Sequence, residues 1–235
     1  MGRFVHLFPL SVYRDTLGLP ASYRQQLVRR VERMEAEAAA REIEGSAWLG
    51  DIRGFEFLFQ DAEFQPLFAH MAAAVRKYID ALGMDGQRID FYFQRAWATL
   101  SRRGERINQH SHEQSNISVA YYLKKPENSG GIQFITENHP NEFSRGIFTP
   151  SKADLGFIQQ PGLLTWNLVA MEPAEDEIVI FPSKTTHATA PSQTDEPRIS
   201  ISADITTMLR DSRGHETMMP HFSQWRSFDS FGPGA

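Results

Sequence analysis

An antiparallel β sandwich or jelly roll with helices laid on one face is the fold class this sequence predicts, and three observations carry the prediction. The first third of the chain has helical periodicity; from about residue 89 the pattern changes to short runs of β-branched and aromatic residues. Those runs are bounded by clusters of Pro, Gly, Asn and Ser, as expected of a mainly β core behind N-terminal helices. At 235 residues the chain suits one domain with a good-sized core.

Residues 21–44 are rich in Arg, Glu, Gln and Ala, with Leu27, Val31 and Met34 at helical spacing. A second helix follows Asp61, with Phe64, Leu67, Phe68, Met71, Val75, Tyr78, Ile79 and Leu82 on one broad face. Asp61 suits the N-cap, Pro66 the first turn and Gly83 the C-terminal end. Strands are expected at Asp90–Leu100, Ile117–Leu123, Gly131–Ile135, Gly162–Asn167, Glu177–Phe181 and Arg198–Thr206, with a further one opening at His187. The stretch 136–161 is long, polar and rich in turn residues, the character of a lid or substrate loop. The tail from Met208 to Ala235 carries Phe222, Trp225, Phe228 and Phe231, so it is expected to dock.

Composition narrows the function classes. A net charge of -5 gives no basic excess for nucleic acid, although Arg102, Arg103 and Arg106 could meet a small anion. The absence of cysteine excludes disulfides, thiolate metal sites and cysteine nucleophiles. No stretch approaches the roughly 18 apolar residues of a membrane span, and the N-terminal residues lack a secretory pattern. A cytoplasmic protein is the default expectation, with a homodimer compatible.

Three pieces can carry chemistry. In an extended strand residues i and i+2 share a face, so His110 and His112 of Asn108-Gln-His-Ser-His112 project side by side. Imidazole suits Fe(II), Zn(II) and similar ions, yet such a pair alone is more often an incidental surface feature. His187 follows the apolar strand that ends at Pro182, where a lone histidine is commonly structural. In Arg198-Ile-Ser-Ile201, Arg198 and Ser200 share one face and Ile199 and Ile201 the other. A guanidinium with a neighbouring hydroxyl is shaped for a carboxylate, whereas the plain alternative is a surface Arg on an edge strand.

Order and spacing raise these pieces above coincidence. His187 comes 75 residues after His112, and Arg198 eleven residues after His187. Over residues 89–206 the chain resembles the 2-oxoglutarate/Fe(II) oxygenase superfamily, most closely a bacterial and phage branch. That branch carries a His-x-His motif, then Ser-Gly-x-Tyr-Tyr-Leu, then Phe-Pro-Ser-x-x-x-His. The matching segments are His110-Ser-His112, Ser118-Val-Ala-Tyr121-Tyr122-Leu123 and Phe181-Pro-Ser183-Lys-Thr-Thr-His187.

The resemblance implies a double-stranded β-helix (jelly-roll, cupin-like) core with iron at its open end, and Fe(II), 2-oxoglutarate and O2 as cofactor and co-substrates. It makes His110 and His187 metal ligands, and Arg198, supported by Ser200, the anchor of the distal carboxylate of 2-oxoglutarate. Tyr122 or Tyr121 adds a hydroxyl, since only one of two adjacent strand residues faces inward.

One departure stands out. The superfamily usually pairs two histidines with a carboxylate, and no histidine here has an acid two residues later. Three arrangements follow: a triad of His110, His112 and His187, a two-histidine site with water or chloride, or a shifted register with His112 leading and Glu113 or Gln114 near the metal. The expected substrate is a small molecule, an amino acid or natural-product intermediate, to be hydroxylated. Arg95, Trp97, Trp166 and Asn167 are candidate pocket residues, with core packing the alternative for both tryptophans.

Overall fold

The computed structural model describes residues 3–38, 45–213 and 220–231. Helix α1 (Ala21–Glu37) buries Leu27, Val31 and Met34, the apolar stripe read from its spacing, and ends where Ala38 turns extended. The expected continuation through 39–44 lies outside the described residues. Helix α2 (Gln65–Ala81) is entered through a single 3-10 turn at Ala62–Phe64, capped by Asp61, whose side chain accepts a hydrogen bond from the Glu63 N–H at 2.9 Å. Pro66 lies in the first turn of α2, and Leu67, Phe68, Met71, Val75, Tyr78 and Ile79 are buried.

The strands are β1 (Tyr13–Thr16), β2 (Trp48–Leu49), β3 (Ile89–Ser101), β4 (Ile117–Lys124), β5 (Ile132–Ile135), β6 (Leu168–Met171), β7 (Glu177–Pro182), β8 (His187–Thr189) and β9 (Arg198–Leu209). They form a six-stranded sheet in the order β1-β7-β4-β9-β3-β2 and a three-stranded sheet in the order β6-β5-β8, antiparallel throughout. The strand expected at Gly162–Asn167 is absent: the N–H groups of Thr165 and Trp166 both turn back to the Gly162 carbonyl, and pairing starts only at Leu168. Strands β1 and β2 escape a reading by periodicity because neither is long enough to show one.

The pleat assigns every residue of the central strands to one of two sides. Ala96, Ala98 and Leu100 of β3, Ile117, Val119 and Tyr121 of β4, Ile178 and Ile180 of β7, and Ile199, Ile201, Ala203 and Ile205 of β9 point away from the small sheet. They form one continuous core with α1 and α2. Their alternate neighbours point between the sheets, where Tyr122, Ile132, Phe134, Val179 and Phe181 make a smaller apolar cluster. Beside that cluster the inward face of β9 is polar: Arg198, Ser200, Ser202 and Asp204 lie in a row. This juxtaposition gives the jelly roll an apolar floor and one polar wall.

The tail docks in part. His221 Nε2 lies 2.8 Å from the Tyr92 hydroxyl and Phe222 meets the Tyr92 ring edge-on at 5.2 Å, whereas Phe228 is exposed. Residues 214–219 and 232–235 lie outside the described residues.

The turn before β5 has no room for a side chain. Gly130 has φ +75°, and a Cβ there would sit 2.3 Å from the Ala190 carbonyl oxygen. Gly130→Ala is therefore expected to cost about 1–3 kcal/mol, through strained backbone and a displaced strand end. Equilibrium denaturant unfolding beside Gly156→Ala, which meets nothing within 4 Å at a similar φ of +76°, separates the steric part from the conformational part.

Candidate metal centre

Two backbone hydrogen bonds bring the first histidines together. His110 N donates to His187 O at 3.0 Å and His187 N to His110 O at 2.9 Å, an antiparallel bridge between a strandless segment and the start of β8. His112 N donates to Ser183 O at 2.9 Å, which fixes the next inward residue against the end of β7. The three imidazoles then face one another, with ring centroids 4.3 Å apart for His110 and His187, 5.0 Å for His110 and His112, and 5.2 Å for His112 and His187. Their ligating atoms lie within 4.8 Å of one another. Glu113 is not part of that cluster.

The hydrogen bonds decide which nitrogen faces inward. Nδ1 of His110 lies 2.8 Å from Asn108 O, and Nδ1 of His187 lies 2.8 Å from Thr185 O. A carbonyl only accepts, so each Nδ1 carries the proton and each Nε2 presents a lone pair. Nδ1 of His112 lies 2.5 Å from Asp204 Oδ1, again an acceptor, and its Nε2 is buried without a protein partner. Three lone pairs converging on one point, each backed by an outer acceptor, are what a divalent transition-metal ion requires. The residues present fit such an ion. Burial pushes the His187 imidazole down to about 4 and also lowers His110, keeping both neutral and able to ligate.

Behind His112 stands a charged network that the sequence reading missed. Asp204, on the inward face of β9, receives the His112 bond on Oδ1 and Arg95 on Oδ2 at 3.1 Å; Arg95 also reaches Asp51 at 3.2 Å. Despite its burial, the Asp204 carboxyl is held below the usual carboxylate range by His112 and Arg95. Burial pushes Asp51 up, against the pull of Arg95. Trp97 stacks on His112 with centroids 5.8 Å apart, and the Arg95 guanidinium lies over Trp97 at 4.6 Å. A sequence signal existed: Asp204 lies six residues beyond Arg198, on the same face of one strand.

The centre opens into a cavity of about 840 Å³. Arg95, Trp97, Tyr122, Ser200 and Asp204 line it, together with the three histidines and the apolar Leu49, Phe57, Ile107, Ile132 and Phe181. Tyr121 faces the helices instead, donating to Asp176 Oδ1 at 2.7 Å, so the inward tyrosine is Tyr122.

Arg198 is neither exposed nor on an edge: it is 1% exposed, on a strand flanked by β4 and β3. Its Nη1 donates to Ser129 O and Gly130 O at 2.9 and 2.7 Å, and its Nη2 to Ser101 Oγ and Thr189 Oγ1 at 3.0 and 3.1 Å. Thr189 and Ser200 carry this end of the row to the cavity. Asn167 and Trp166 do not line the cavity. Asn167 Nδ2 donates to Glu142 at 3.3 Å, and Trp166 is 45% exposed in the turn that replaces the expected strand.

Comparison with known proteins agrees with this geometry. Residues 95–204 match the family described as "Putative 2OG-Fe(II) oxygenase". No curated protein sequence matches the chain. Among solved structures, the chain is similar to the non-heme alpha ketoglutarate dependent epimerase SnoN from nogalamycin biosynthesis, at 14% identity and a TM-score of 0.57 over 87% of this chain and 82% of that one. It is also similar to AviO1 from Streptomyces viridochromogenes Tue57, at 11% identity and a TM-score of 0.56 over 90% and 92% of the two chains. HygX from Streptomyces hygroscopicus, solved with nickel and 2-oxoglutarate bound, aligns at 10% identity and a TM-score of 0.53 over 84% and 83%. At these identities the likeness establishes the fold, a double-stranded β-helix.

The buried neutral His187 sets an acid limit. With chelator present, an imidazole that titrates near 6.5 when unfolded and at about 4 when folded makes the unfolded chain bind more protons between those values. Stability is expected to fall as pH drops from 6.5 toward 4, by roughly 3 kcal/mol for this group. His187→Gln should flatten that part of the pH profile of denaturant unfolding; an unchanged slope would contradict the assignment.

Proposed function

We propose that this chain, which belongs to the 2-oxoglutarate/Fe(II) oxygenase superfamily, hydroxylates a small molecule with release of succinate and CO2. The observation that carries the reading is the clustering of three imidazoles whose ligating atoms lie within 4.8 Å of one another, each ring with an acceptor on Nδ1 that leaves Nε2 to the centre. His110, His112 and His187 would hold Fe(II). When bound, the iron and 2-oxoglutarate supply O2 activation coupled to decarboxylation of the co-substrate.

The chain's own residues bind and orient. Arg198 and Ser200 take the distal carboxylate of 2-oxoglutarate, and Thr189, whose hydroxyl oxygen accepts from the guanidinium, donates its own proton to the anion. Burial pushes the Tyr122 phenol up to about 12, so it stays protonated and donates to an oxygen of the co-substrate. Leu49, Phe57, Ile107, Ile132 and Phe181 exclude water from the space between the anchors. Trp97, stacked on His112, and Arg95, lying over Trp97, line the cavity and face the substrate. No helix among the described residues is long and apolar enough to cross a membrane, and the net charge of -5 disfavours a polyanionic substrate.

Anaerobic titration of 2-oxoglutarate into Fe(II)-loaded protein should raise a weak visible charge-transfer band, lost in His187→Ala and in Arg198→Ala. Arg198→Lys, which keeps the charge but not the fork, should retain the band with weaker co-substrate binding. Fe(II) uptake without a band would favour a cupin-like metalloenzyme that does not use 2-oxoglutarate. No metal uptake would leave a non-catalytic jelly-roll binding protein. Succinate release against a panel of amino acids and natural-product intermediates then tests hydroxylation.

A further inference from the structure

We propose that Asp204 is a positioning residue that supplies, from behind the His112 imidazole, the negative charge a carboxylate ligand supplies directly in the usual site. The proposal rests on the three-histidine metal reading and deepens it.

Three observations converge on this role. The histidines are not equivalent: His110 and His187 rest their Nδ1–H groups on neutral carbonyls, whereas His112 rests its own on a carboxylate. The imidazole that occupies the place of the missing acid is therefore the one with an acid behind it. Next, Asp204 is fastened. It is 3% exposed on a strand flanked on both sides, and its oxygens are taken by His112, by Ser115 Oγ at 3.3 Å and by Arg95 at 3.1 Å.

Charge completes the case. One guanidinium, Arg95, bridges two carboxyls, the half-buried Asp51 and the buried Asp204. With both ionised, one negative charge is left over, and buried charge is costly unless a counter-charge lies close. The nearest group that can carry that counter-charge is the His112 ring, and because its Nε2 is buried with no acceptor for a second N–H, a cation held where the three imidazoles meet serves better than a proton. A carboxylate hydrogen-bonded to a ligating histidine also fixes its tautomer and raises its basicity.

The test is a Co(II) titration against a competing chelator, with thermal unfolding of the metal-free proteins as the check on folding. Asp204→Asn, which keeps an acceptor and removes the charge, should weaken Co(II) binding about 10–100-fold. In a His112→Ala background the same substitution should have no further effect, because the carboxylate acts through that ring.

A reversal of sign is expected with His112→Asp. That variant sets two carboxylates against each other, so adding Asp204→Asn should then strengthen binding. The reversal also decides the matter if Asp204→Asn alone folds poorly. Unchanged affinity in Asp204→Asn, an equal loss in the His112→Ala background, or no reversal would each overturn the role. If the wild type takes up no Co(II), the metal reading itself fails, a result distinct from wild-type uptake that is indifferent to Asp204.

Discussion

The alternation along β9 is the constraint on which the rest of the molecule depends. Ile199, Ile201, Ala203 and Ile205 are buried against the helices, while on the other face Ser200, Ser202 and Asp204 line the cavity and Arg198 lies buried at the end of their row, behind Thr189. A slip of one residue would put the isoleucines in the cavity and an arginine and an aspartate into the apolar core, so the register is strongly specified. The same register sets Arg95 opposite Asp204 and Ser101 opposite Arg198 across the β3 pair, and Tyr122 opposite Ser200 across the β4 pair. Core and site are two sides of one strand. Helices α1 and α2 serve the site only by holding the outer side in place.

Legibility in the sequence followed the length of the signal. The long strands β3, β4 and β9 and both helices were visible because each carries enough alternation or 3.6-residue periodicity to stand out. The short β1 and β2 carried none, and the segment before Leu168 looked like a strand only because it is apolar; the Gly162 turn dominates there. The histidines were legible as a set through their order and spacing, and the structure brings their rings together. Asp204 and Asp51 were not, because their importance comes from cross-strand neighbours far away in sequence. Arg198 was legible as an inward residue, but its present partners, two turn carbonyls and two hydroxyls, follow from the loop at Ser129–Gly130.

The site is also asymmetric in how it is fastened. His110 and His112 belong to a segment without strand structure of its own, held by backbone bonds to His187, Ser183 and, through Ile107 O, to Thr189 N. These contacts involve no ligating atom. The placing of the three rings is therefore set by main-chain pairing, and the side chains need only their Nδ1 acceptors to complete it.

A face of three imidazoles assembled in advance has a consequence for metal identity. Such donors follow the general order of divalent affinity, in which copper, nickel and zinc outrank iron, and a rigid nitrogen set offers little to reverse it. Discrimination would then rest on supply rather than on grip, so the ion found in the isolated protein would record what the surroundings offered first.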